Sequence, residues 1–120
     1  RWALGFDLDP EAVAEARRVA TGNGLGGGLA LFAGSINALG EGHFDLVLVN
    51  LLRSEMLPIA EEIATKLSPE GDLVLSGLLD SDRSAVLAAF AVFGLEERGE
   101  RTVSDASGAV WSAPLLGFPR

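Results

Sequence analysis

The sequence contains no cysteine, so it can build no disulfide framework, thiolate metal site or thiol nucleophile, a composition that suits a reducing compartment. It also lacks any stretch near the roughly 20 uninterrupted apolar residues that a bilayer span requires. No basic region followed by an apolar signal core stands at its start. We expect a cytoplasmic chain with no membrane contact. Positive charge is scarce: 9 Lys and Arg against 17 Asp and Glu give a formal net charge of -8. Binding to a phosphate backbone is therefore disfavoured, and a basic partner is easier to accept than a nucleic acid. Metal-ligand spacings are missing as well, since the acidic residues fall into neither an H-E-x-x-H nor an EF-hand pattern. No G-x-S-x-G elbow surrounds Ser54, which reads as a helix cap and not as a nucleophile.

What remains is 120 residues that are 48% hydrophobic, enough apolar material for one domain with a core. The chain starts with Arg1 and enters an apolar run at Trp2 without a cap or turn, which reads as a piece of a longer protein. Residues 2–8, WALGFDL, have strand length. Asp9 and Pro10 then supply an N-cap and the residue favoured at the first helical position. A helix over about 10–21 follows, with Val13, Ala16, Val19 and Ala20 on its apolar side. A second strand is expected at 29–33, LALFA, and a third at 45–50, DLVLVN, aliphatic enough that both of its faces should be buried.

Ser54 then caps a helix carrying Ala60, Ile63, Ala64 and Leu67 inward, with Pro58 near its first turn and "SPEG", 68–71, closing it. Strand LVLS, 73–76, and a helix over about 81–93 come next, the latter with Val86, Leu87, Phe90 and Phe93 inward and Gly94 as its stop. Residues 95–102 and 109–118 flank "VSDASG", which has turn composition, and read as an antiparallel pair. Strands alternating with helices imply a parallel α/β sheet with right-handed crossovers, finished by an antiparallel hairpin.

In such sheets ligands sit beyond the carboxyl ends of the strands, where an acidic side chain can accept hydrogen bonds from both hydroxyls of a ribose. Asp7 lies at such an end, whereas Asp9 is explained by capping. The alternative is that both only end a strand and start a helix. "GNGLGG", 22–27, satisfies a G-x-G-x-x-G pattern formally, but it follows a helix and leads into a strand, the reverse of a phosphate-binding turn. It is a connection. "AGSINAL", 33–39, follows the second strand, so Gly34, Ser35 and Ile36 border the same edge, either as an adenine-contacting turn or as an ordinary polar one. Asn50 ends the aliphatic strand at the chemical edge. Its amide oxygen can accept from an amine N–H, or it can bond its own turn. His43 reads as a solvated loop residue, Asp80 and Asp82 as helix-start acids, and Trp2 and Trp111 as packing residues.

With "GFDLDP", "GSINAL", "FDLVLVNLL", "SPEGDLVLSGLL" and a terminal hairpin in this order, the chain resembles the class I, S-adenosylmethionine-dependent methyltransferases, and more narrowly the ribosomal protein L11 methyltransferase (PrmA) family. The likeness runs over nearly the whole chain and is most specific from Phe44 to Leu79. The fold it implies is an incomplete Rossmann-like methyltransferase sheet, the C-terminal part of one catalytic domain, lacking the first strand and its glycine-rich loop. It implies that the ribose-binding acid falls on Asp7, with Leu8 beside it on the cofactor, the adenine-edge turn on Gly34, Ser35 and Ile36, and the asparagine that borders both the cofactor and the target amine on Asn50, with the carbonyl of Leu51 assisting.

The implied reaction is methyl transfer from S-adenosylmethionine to amines, on lysine side chains and the N-terminus, of a basic ribosomal protein. Departures are Glu70 where a second glycine is usual, and Pro114 in a strand that should lie inside the sheet, which points to a bulge or an altered strand end. Rival readings are a methyltransferase for another protein or a small molecule, a nicotinamide-dependent oxidoreductase, which also places an acid after its second strand, and a non-catalytic α/β module. The sequence leaves the oligomeric state open.

Overall fold

The computed structural model describes residues 2–40 and 43–120; Arg1, Glu41 and Gly42 lie outside the described residues. The chain divides into two compact units, residues 1–40 and 41–120, which are taken in turn.

In the first unit, β1 (Ala3–Asp7) and β2 (Leu29–Ala33) pair in parallel, with Ala3 facing Leu29 and Asp7 facing Ala33. Helix α1 (Pro10–Gly22) connects them. Its start is chemically determined: the Asp9 side chain accepts from the Glu11 N–H at 2.9 Å, and Pro10 occupies the first turn, where its missing N–H costs nothing. Val13 and Ala20 are buried as expected, but Ala16 and Val19 are exposed. Two strands of five residues each offer the helix only a narrow strip to cover. Arg17 fastens the helix to β2 by donating from Nη2 to the Leu31 carbonyl at 2.8 Å. The rings of Phe6 and Phe32 stack with centroids 5.1 Å apart. The glycines of "GNGLGG" form the turn out of α1, with Leu25 N–H returning to the Ala20 carbonyl at 2.8 Å.

The second unit holds a five-stranded mixed sheet. Strands β3 (Phe44–Asn50) and β4 (Leu67–Ser76) run parallel, and β4 also pairs antiparallel with β7 (Val110–Gly117). The short β5 (Leu78–Leu79) and the hairpin strand β6 (Glu96–Ser104) both pair antiparallel with β7. The α/β class and the closing hairpin thus agree with the sequence reading.

Helices cover one face of this sheet. The helix expected after Ser54 is broken into α2 (Arg53–Met56), a 3-10 turn at Leu57–Ile59 and α3 (Ala60–Lys66), the break coinciding with Pro58, which has no N–H to donate. Ser54 is not the cap. Leu52 occupies that position, and Glu55 supplies the polar contact by accepting from the Leu52 N–H at 3.0 Å. Helix α4 (Arg83–Ala91) follows a 3-10 turn at Asp80–Asp82 and ends where Gly94 adopts a φ of +88°. Asp82 makes no capping bond; its carboxylate accepts from Arg53 of α2 at 3.2 Å. The core comprises Met56, Ile63, Leu73, Leu75, Leu78, Val86, Phe90 and Leu116, all essentially inaccessible to solvent, while Leu87 and Phe93 are half-buried.

The opposite face corrects an expectation. Leu46 and Leu48 of β3 remain 57% and 70% exposed, so the aliphatic strand is not buried on both sides. Val103, Trp111 and Leu79, aligned across β6, β7 and β5, are exposed on that same face. Trp2 is exposed too, so neither tryptophan is a core residue. "SPEG" does not simply close a helix: Phe44 faces Leu67 while Leu46 faces Asp72, so residues 68–71 bulge out of β4. The bulge anticipated at Pro114 lies elsewhere. Pro114 is buried inside β7, between the pairs that β4 and β5 make with that strand, and the irregularity falls on β6 at Arg98. Extruded there, Arg98 reaches Asp72 at 3.0 Å and the Phe118 carbonyl, pinning the C-terminal segment to β4.

The hairpin tip is organised by one carboxylate. Asp105 accepts from Ser107 N–H at 2.8 Å, Ser107 Oγ at 2.6 Å, Ala109 N–H at 3.1 Å and Trp111 Nε1 at 2.9 Å. The side-chain bonds from Ser107 and Trp111 are the main reason its carboxyl is held down at about 2.

Candidate functional site

The carboxyl ends of β1 and β2 bring together the residues singled out in the first unit. Asp7 is the last residue of β1, and the Gly34 N–H, one residue past the end of β2, donates to the Asp7 carbonyl at 2.9 Å. The Asp7 side chain is oriented as well: its Oδ1 accepts from the Asp9 N–H at 2.8 Å, which leaves the exposed carboxylate held at one oxygen. The same two-aspartate turn therefore starts α1 and fixes the direction of an acid at the sheet edge. Leu8, between them, is exposed.

Beyond Gly34 the chain passes Ser35 and enters a 3-10 turn, Ile36–Ala38. Gly34 is close enough to the Phe32 ring that a Cβ there would stand 3.3 Å from it, so this corner of the edge has space only while position 34 bears no side chain. Ser35 is half-buried, and Ile36 is 8% exposed. The shallow depression lined by Arg17, Thr21, Leu25, Leu29 and Leu31 lies at the other end of these strands, between α1 and β2.

In the second unit Asn50 ends β3 and faces Ser76, the last residue of β4. The aliphatic segment before it places the amide at the carboxyl edge, where parallel strands direct ligands. Among the described residues the Asn50 side chain makes no hydrogen bond, unlike Asn23, whose Nδ2 donates to the Val19 carbonyl at 2.8 Å. The alternative in which Asn50 bonds its own turn is not what is observed. Its Oδ1 and the carbonyl oxygen of Leu51 both lie over Gly77. That glycine was not among the candidates read from the sequence, although a lone glycine between two apolar strand pieces is a signal for a bulge. His43 is exposed just before β3. Among the described residues no three His, Asp or Glu side chains gather as a metal site would require.

The description of the ribosomal protein L11 methyltransferase (PrmA) family matches residues 1–102. The chain belongs to this family. Curated relatives named ribosomal protein L11 methyltransferase include one from Brucella suis, 38% identical over 100 residues, and one from Allorhizobium ampelinum, 36% identical over 97. These alignments cover 77% and 78% of this chain but 34% and 33% of the relatives, so the chain spans about a third of their length. Among solved structures, a ribosomal protein L11 methylase from Lactobacillus delbrueckii subsp. bulgaricus has a TM-score of 0.86 at 21% identity, covering 100% of this chain and 59% of that one. That likeness establishes the fold, the α/β arrangement of class I methyltransferases.

Proposed function

We propose that the full-length protein transfers methyl groups from S-adenosylmethionine to amine nitrogens, lysine side chains and the N-terminus, of a basic ribosomal protein in the cytoplasm. Beside family membership, the observation that carries the reading is the Asp7 carboxylate at the sheet edge, oriented through Oδ1 by the Asp9 N–H, on a residue whose backbone carbonyl accepts from the Gly34 N–H. These residues fit a nucleoside: an exposed carboxylate accepts hydrogen bonds from a vicinal diol, and the bare Cα of Gly34 leaves a gap that a side chain would fill. Asp7 and Leu8 would hold the ribose, and Gly34, Ser35 and Ile36 the adenine.

When bound, S-adenosylmethionine supplies an electrophilic methyl group on a sulfonium. The protein is then required to position a nucleophile and exclude water, and positioning carries most of the rate. Asn50 Oδ1 and the Leu51 carbonyl accept hydrogen bonds from the amine, turning its lone pair outward. A free lysine has a pKa of about 10.4, and desolvation on entering the site favours the neutral, nucleophilic form. The acidic balance of the chain suits a basic substrate.

The test is transfer of a radiolabelled methyl group from S-adenosylmethionine by the full-length protein to purified ribosomal proteins. One labelled protein, with the label lost in Asn50→Ala, supports the reading. Tight cofactor binding with no ribosomal protein labelled retains a methyltransferase and rejects the substrate.

A further inference from the structure

Asn50 stands over a backbone irregularity at the end of β4. Along β4 and β5, Val74 faces Leu115 and Leu78 faces Ser112, so four steps on one side are matched by three on β7. The extra residue falls at the junction of the two short ladders, where Gly77 has a φ of +77°. Bulges of this kind re-aim the groups next to them. Here the neighbour is Asn50: a Cβ added at Gly77 would meet Asn50 Oδ1 at 2.5 Å, with the carbonyl oxygen of Leu51 at 3.7 Å. Gly77 is thus required twice, by a backbone conformation that L side chains resist and by the volume that the Asn50 amide occupies.

We propose that Gly77 is a positioning residue for methyl transfer: the bulge at Gly77 provides the bare floor on which the Asn50 amide oxygen rests, and so fixes the two oxygens that orient the acceptor amine. This rests on the role given to Asn50 above. Gly77 touches neither cofactor nor amine in this account and acts through Asn50. The Oδ1 atom has no other support from hydrogen bonds among the described residues, so a methyl group beneath it must move it. A displacement of about 1 Å at a reacting nitrogen costs on the order of 100-fold in rate.

The experiment measures kcat, KM for the protein acceptor and cofactor Kd in the full-length protein for Gly77→Ala, Asn50→Ala and the double variant, with melting temperatures alongside. Gly77→Ala should lower kcat by roughly 10- to 100-fold and leave cofactor Kd unchanged. Added to Asn50→Ala it should lower kcat less than about 3-fold further, because the two act as one unit. Gly77→Asn separates strain from space, since asparagine tolerates a positive φ yet still places a Cβ under Oδ1. It should lose kcat as Gly77→Ala does, and it remains informative if the alanine variant fails to fold. Full kcat in Gly77→Asn, or equal losses from Gly77→Ala with and without Asn50, would overturn the positioning role alone. Full kcat in Asn50→Ala would remove the role of Asn50 and this one with it.

Discussion

The backbone N–H of Gly34 donates to the carbonyl oxygen of Asp7 at 2.9 Å, so the turn after β2 is hung from the last residue of β1. The bond couples an acid and a glycine that lie 27 positions apart in sequence and places both at one edge. The Asp7 side chain takes no part in this bond, so substitution can separate its role from that of the turn.

Asp7→Ala is expected to weaken S-adenosylmethionine binding by the full-length protein about 10- to 100-fold, the worth of hydrogen bonds to a charged group, roughly 1.5–3 kcal/mol. Asp9→Ala should behave in the opposite way. It removes the side-chain cap on Glu11 but keeps the N–H that holds Asp7, so stability falls by about 1 kcal/mol while affinity is nearly retained. Calorimetric titration and urea unfolding of both variants check this. Equal affinity in Asp7→Ala and the unsubstituted protein would reject the ribose contact.

The hairpin tip carries a pH dependence whose sign is set by Asp105. Its carboxyl is held at about 2 in the folded chain against an ordinary 3.8. The resulting stabilisation is fully present above the ordinary value and is lost as pH falls through the folded one. As the pH falls through about 2, the Trp111 indole N–H signal in nuclear magnetic resonance spectra should shift as its acceptor is protonated. In Asp105→Asn this step should be absent; a step that persists there belongs to another group.

Ser112 is 2% exposed, and among the described residues its hydroxyl has no hydrogen-bond partner. A buried hydroxyl without a partner opposes folding, so Ser112→Ala should stabilise the second unit by about 1 kcal/mol. Chemical denaturation decides the sign, and a loss of stability would mean that the hydroxyl is satisfied in solution.

How far these features were legible in the sequence depended on how local their causes are. The β1–α1 junction was readable because Asp9 and Pro10 act within one turn on backbone groups beside them. The turn that ends at Gly94 was readable for the same reason. The burial of β3 was not, since "DLVLVN" records that the strand is aliphatic and not which of its faces a helix covers. Ser54 reads as a cap because hydroxyl residues usually serve there, whereas Glu55 supplies the polar contact from within the helix. Among the candidate residues, the edge positions of Asp7 and Gly34 in the first unit and of Asn50 in the second followed from strand ends. Gly77 did not, because its importance comes from the register of β7, about 35 residues further along the chain.

The wet, aliphatic side of β3 also has a consequence before the chain is folded. "LVLVNLL", residues 46–52, is a window of seven with no charge and no proline, the composition that stacks between chains into cross-β assemblies. Its outward leucines add nothing to the core but lengthen this adhesive stretch, so recovery from denaturant should fall steeply as concentration rises. Leu48→Lys, at a position 70% exposed, should raise the yield of refolded protein while leaving the unfolding free energy within about 0.5 kcal/mol of its original value. Light scattering during dilution from urea reads the difference directly: the strand's bare side is a liability of assembly from which the native fold itself draws little support.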